Sequence, residues 1–180
     1  MAAIDPLLDR NQRFAADRGY EGGPIYPRAG VCVVTCLDPR TDPANFLGLE
    51  LGDAAVIRNA GGRVNPAVIE DLSFITYLSE TVIKPEGPLF EVAIVHHTKC
   101  GTSFLADAEF RHHFAARAGV DETALEAEAV TDPRQTVIQD VARLRASTLV
   151  STRITVSGHV YDVDTGVVTT VLAAASMQTV

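Results

Sequence analysis

The sequence predicts an α/β fold: a mostly parallel central sheet flanked by helices, with a C-terminal antiparallel strand pair. Three observations lead there. Val31 to Cys36 and Phe90 to Val95 are near-continuous apolar runs, as expected of central strands buried on both faces. Segments with helical spacing alternate with such runs, which is the pattern of parallel β-α-β units. Near the end, Ile154 to Tyr161 and Val167 to Leu172 flank Asp164-Thr165-Gly166 and read as a hairpin.

The elements follow in chain order. Asp5 is placed to cap a helix with Pro6 at its first position, and Ile4, Leu7, Leu8 and Phe14 give it a thin apolar stripe. So weak a stripe makes the helix marginal alone and suited to a partner subunit. Gly19 to Pro27 reads as a loop, so residues 1–27 form a helical arm and loop on a single domain spanning residues 1–180. After the first strand, Thr41 to Leu51 reads as a short helix and loop. Ala54-Ala55-Val56-Ile57 forms a second strand, broken by Asn59-Ala60-Gly61-Gly62. Asn65 caps a helix with Pro66 at its start, and Val68, Ile69, Leu72, Ile75, Leu78 and Val82 share its face. Phe104 to Ala118 reads as one helix stopped by Gly119. Asp121 to Thr131 is an acidic surface helix or loop. Asp132-Pro133 opens the last helix, with Val137, Ile138, Val141 and Leu144 on one face.

Composition excludes several classes. A net charge of -8 over 180 residues argues against nucleic acid, which needs clustered Lys and Arg, and against an anionic membrane surface. No apolar run reaches the ~20 residues of a membrane span. The first 18 residues carry Asp5, Asp9 and Asp17 and do not resemble a secretory signal. The 3 cysteines then point to a reducing, cytoplasmic setting and to metal binding or catalysis rather than disulfides.

Two motifs lie immediately after strands, where ligands gather in open α/β sheets. The first is Cys36-Leu37-Asp38-Pro39-Arg40 and the second His97-Thr98-Lys99-Cys100-Gly101. Cys36, His97 and Cys100 make a Cys2His set, which suits a zinc ion with an open fourth position. His96 is the alternative imidazole. It points away from His97 if strand geometry persists. Cys32 lies four residues before Cys36, roughly 13 Å away along a strand, so it reads as a small buried hydrophobe. Asp38 can reach a metal-held water, or serve as a fourth ligand in a closed arrangement. Arg40 can form a bidentate pair that keeps Asp38 ionised and turned from the metal.

At these residues the chain resembles a β-class carbonic anhydrase. Three segments carry the resemblance: Cys36 to Arg40, Gly52 to Gly61 and His97 to Gly101. Gly158 to Gly166 also resembles the closing strand pair of short members. The resemblance implies Zn2+ held by Cys36, His97 and Cys100, with Asp38 and Arg40 as the catalytic dyad. It implies a homodimer or dimer-based homo-oligomer, embraced by the N-terminal helix, and a small gaseous substrate. The activity implied is attack of a zinc-held hydroxide on carbon dioxide, giving bicarbonate. The compact branch also includes enzymes that hydrolyse carbonyl sulfide or carbon disulfide with the same ligands, so carbonyl sulfide hydrolysis is the alternative. Lys99 departs from the family pattern, which usually has a small or acidic residue there.

Two further readings compete. A structural zinc would make the chain a binding module without turnover. A metal-free nucleotide-binding domain lacks support, because no G-x-G-x-x-G follows the first strand.

Overall fold

The computed structural model describes residues 2–177. Five strands form one sheet in the order β2-β1-β3-β4-β5. They are β1 (Val31–Cys36), β2 (Ala54–Asn59), β3 (Glu91–His97), β4 (Thr155–Tyr161) and β5 (Val168–Ser176). Neighbours pair in parallel except β4 and β5, which run antiparallel. The expected fold class is therefore observed. β1 has β2 on one side and β3 on the other, so the strand order reverses there. The open end of such a reversal leaves a crevice at the strand carboxyl ends.

Helices α3 (Pro66–Leu78) and α6 (Pro133–Arg145) pack on one sheet face. Val68 and Leu72 from α3 meet Cys32, Val34, Val92 and Ile94, and Val137, Val141 and Leu144 from α6 join them. Leu72 is fully buried, so trimming such a leucine to alanine costs about 2–5 kcal/mol. Both helices start as their sequences dictate. Asn65 accepts from the Val68 amide, Asp132 accepts from the Arg134 and Gln135 amides, and each has proline in its first turn.

Several boundaries differ from the sequence reading, each for a local reason. β3 runs two residues further, through both histidines, because the ladder to β4 continues to His97 opposite Tyr161. α3 gives way to a π turn over Ser79–Ile83, which rotates Val82 out of the apolar stripe and leaves it exposed. Ile138 likewise faces solvent while its helix neighbours are buried. The expected helix from Phe104 splits into a 3-10 stretch (Gly101–Ala106) and α4 (Ala108–Ala118), because Asp107 accepts from the Phe110 amide and caps a new start. Gly119 ends α4 in the left-handed conformation. Short helices α2 (Pro43–Phe46) and α5 (Glu122–Ala127) fill the connections. β5 extends beyond Leu172 through the alanines to Ser176, since Ala175 and Ser176 still pair with the start of β4.

Helix α1 (Asp5–Ala16) stands apart. It buries none of its residues, and Ile4, Leu7, Leu8 and Phe14 are all exposed. Asp5 is its first residue rather than its cap, and its carboxylate turns back to accept from the Ala2 amide.

Candidate metal centre

Cys36 ends β1 and His97 ends β3, so the parallel pairing of these strands brings their ends together. Cys100 follows one turn later. The chain reverses at Lys99, whose φ of 55° lies in the left-handed region that non-glycine residues rarely enter. The result is a buried cluster in which one donor atom from each of Cys36, His97 and Cys100 lies within 4.8 Å of the others. Among the described residues this is the one such cluster.

The donors are prepared for a cation. The Thr98 carbonyl lies 2.9 Å from His97 Nδ1, which fixes the ring hydrogen there. Nε2 is left as a bare acceptor, buried and without a hydrogen-bond partner. The two sulfurs are 3.9 Å apart. Cys36 Sγ receives amide N–H groups from Asp38 at 3.4 Å and Gly61 at 3.3 Å. Thr102 Oγ1 lies 3.2 Å from Cys100 Sγ. The hydrogen bond between the thiols and their burial push the Cys36 thiol up, so two bare thiolates side by side are disfavoured. A divalent cation removes that conflict by taking both as thiolates. Two thiolates and an imidazole, with an orphaned nitrogen among them, fit zinc.

Asp38 lies outside the cluster and is held by Arg40. Its Oδ1 accepts from the Arg40 amide and from Nε, each at 2.9 Å, and its Oδ2 accepts from Nη2 at 2.7 Å. The Arg40 side-chain hydrogen bond, with further help from its amide and its charge, lowers the Asp38 pKa to about 2. A carboxylate oxygen has two acceptor positions, so Oδ2 keeps one free while Oδ1 has none. Arg40 is itself steadied by the Lys99 carbonyl at 3.1 Å.

The segment is braced from below. Arg58 donates to the carbonyls of Cys36 (3.0 Å) and Asp38 (2.8 Å), and the Thr41 hydroxyl reaches the same two carbonyls at 2.9 Å. Neither residue's bracing role was evident in the sequence, although Arg58 sits opposite Thr35 in the strand register. The glycine loop Asn59 to Gly62 faces Cys36 rather than forming a phosphate cradle. A Cβ on Gly62 would lie 2.9 Å from the Cys36 amide nitrogen, so the two backbones touch. Lys99 turns outward to an exposed ion pair with Asp164, 2.6 Å away. His96, the alternative imidazole, faces the opposite way. It is buried against Thr136, Gly62 and Asp140. Cys32 is a core residue whose thiol burial pushes up to about 12.

Fold and site together define a class: an α/β enzyme that gathers two thiols and an imidazole at the switch point of a parallel sheet, beside an arginine-held aspartate. The chain belongs to the β-class carbonic anhydrase family, and the family model for carbonic anhydrase matches residues 31–168. It is 31% identical to beta-carbonic anhydrase 1 of Mycobacterium tuberculosis over 167 residues, covering 92% of this chain and 96% of that one. The carbonic anhydrase of Streptococcus mutans superposes with a TM-score of 0.77 at 37% identity, covering 95% of this chain and 98% of that one. The carbon disulfide hydrolase of an Acidianus strain is 26% identical, covering 90% of this chain and 85% of that one. Among the described residues, no helix is long and apolar enough to cross a membrane.

Proposed function

We propose that this enzyme hydrates carbon dioxide to bicarbonate at a zinc ion held by Cys36, His97 and Cys100, with Asp38 and Arg40 as its catalytic dyad. The observation that carries the reading is the orphaned His97 Nε2 among two buried thiols, next to a carboxylate kept out of the ligand set. Zinc bound there supplies a Lewis acid that brings the pKa of a held water toward about 7. Asp38 stays ionised, and the free acceptor position on Oδ2 takes a hydrogen bond from the attacking oxygen and aims its lone pair. Arg40 fixes the carboxylate plane through two prongs and keeps it from swinging onto the metal. The buried thiols and imidazole exclude bulk water from the ligand side.

Carbonyl sulfide hydrolysis is the second reading. It is supported by the similarity to a carbon disulfide hydrolase. An apolar cleft of about 210 Å³, lined by Ala60, Gly101, Thr102, Leu105, Phe110 and Phe114, suits either small linear gas. Thr102 in its wall touches Cys100. Parallel assays of the zinc-loaded enzyme separate the readings: proton release with carbon dioxide, sulfide release with carbonyl sulfide. A far larger kcat/KM for carbonyl sulfide overturns the first. Zinc analysis finding well under one ion per chain overturns both.

The exposed stripe of α1 supports a homodimer or dimer-based oligomer of domains spanning residues 1–180, with residues 1–27 as the arm laid on a neighbour. Deleting residues 1–17 is expected to yield monomers by sedimentation. A cytoplasmic setting agrees with 3 free cysteines.

A further inference from the structure

Behind the ligands lies a buried ionic group that the reaction does not use. Arg63, Asp140 and His96 are each fully buried. Asp140 Oδ2 accepts from Arg63 Nε at 2.8 Å and the Val64 amide at 3.0 Å, and His96 Nε2 lies 3.2 Å away. Its Oδ1 accepts from Arg63 Nη2 at 3.1 Å and lies 3.3 Å from Arg143 Nη1. Arg63 spends its remaining prong on the Ala127 carbonyl. His96 Nε2 faces two acceptors, Asp140 and the Gly62 carbonyl, so it carries the ring hydrogen. Its Nδ1 meets the Thr136 hydroxyl at 2.7 Å. Thr136 and Asp140 are four residues apart on α6 and therefore share one face.

We infer that Arg63 and Asp140 are positioning residues for the zinc ligands, clamping to α6 both the loop that donates to Cys36 and the strand end that presents His97. The inference rests on the zinc reading above. The path is short and made of close contacts. Arg63 follows Gly62, whose backbone is pressed against Thr35 and Cys36 without room for a Cβ. Gly61 in the same turn donates its amide hydrogen to Cys36 Sγ. Movement of Arg63 therefore moves a hydrogen-bond donor of a ligand. The strand end is fixed through His96, the neighbour of His97. A buried charge pair is a costly way to fill space, since apolar side chains of similar volume are often as stable or more so. Here both oxygens of Asp140 are occupied by groups on the segment continuing the Gly61-Gly62 turn, on β3 or on α6. The arrangement orients rather than merely fills.

The test replaces the pair by apolar side chains, Arg63→Met with Asp140→Leu, so that no unpaired charge is buried. Leu144→Ala, on the same helix, controls for loss of stability alone. Zinc affinity is read by competition with a chromogenic chelator, and ligand geometry by the thiolate charge-transfer band of the cobalt-substituted protein. The double variant is expected to bind zinc about 10–100-fold more weakly, the range for lost partners of metal ligands, with an altered cobalt band. Leu144→Ala is expected to keep both. Wild-type affinity and band in the folded double variant overturn the inference. A second measurement needs no variant. In the wild-type protein loaded with NMR-active cadmium, the Gly61 amide proton is expected to couple to the metal through Cys36 Sγ. An absent coupling overturns the inference. A wild type that takes up no zinc overturns the zinc reading and the inference with it. A wild type that binds zinc beside a double variant of equal affinity overturns the inference alone.

Discussion

Arg40–Asp38 and Arg63–Asp140 are both two-pronged arginine–carboxylate pairs, and each has a partner one residue removed from the Cys36, His97 and Cys100 cluster: Arg40 donates to the Lys99 carbonyl, and Asp140 faces His96. They differ in what is left over. Asp140 is saturated by Arg63, the Val64 amide, His96 and Arg143, and no part of it meets solvent. Asp38 is bound by Arg40 alone and keeps an open acceptor position on Oδ2. On the readings proposed above, the same chemical pair serves reactivity in one place and architecture in the other. Counting occupied lone pairs tells the two apart.

The comparison breaks most sharply at Asp38. Asp38→Asn is expected to lower kcat/KM for carbon dioxide by about 10²–10⁴, the usual contribution of a positioned proton-handling group, with a smaller loss of stability than a change at Asp140. Comparable losses of stability and rate would mean that Asp38 is architectural after all. Asp140→Ala is expected to show the reverse emphasis. It strands a buried arginine, so chemical denaturation should report a loss of about 3–5 kcal/mol. A variant as stable as wild type would show that the buried pair does not hold the fold.

Acid sharpens the contrast further. The Arg40 pair holds the Asp38 carboxyl at about 2, below its ordinary 3.8. Its contribution to stability is therefore fully present above the ordinary value and fades as pH falls through about 2. Asp140 is opposed by burial, but His96 and Arg63 more than compensate and also hold it low. Its contribution has the same sign. Acid unfolding followed by circular dichroism should lose its dependence on pH below 4 only partly in Asp38→Asn, because Asp140 still titrates. The smallest effect belongs to Lys99–Asp164, which is exposed at both ends. Asp164→Ala is expected to cost under about 1 kcal/mol, and less in high salt. A larger loss would place that pair with the buried one.

These differences also mark what the sequence could reveal. The apolar runs of β1 and β3, the capping Asn65 and Asp132, and the C-x-D-x-R and H-x-x-C spacings are local patterns, and the fold class and the clustering of Cys36, His97 and Cys100 follow from them. The Arg63–Asp140 pair was not legible, because its members are 77 residues apart and an Arg or Asp reads as a surface residue without its partner. Boundaries failed where one polar group decided them. Asp107 split a helix that its apolar pattern alone made continuous, and the π turn after Leu78 displaced Val82. The outward course of Lys99 depended on a left-handed backbone angle that no side-chain pattern announces.

Cys36 and Cys100 are separated by 64 positions, and only the pairing of β1 with β3 unites them. Contacts so distant along the chain form slowly, since the intervening segment must first be closed into a loop. On the zinc reading, ion capture reports the moment at which that loop closes. Refolding in cobalt and watching the thiolate band appear would then time the long-range step directly. The strand β2, which joins β1 from only about two dozen residues away, would leave that signal silent.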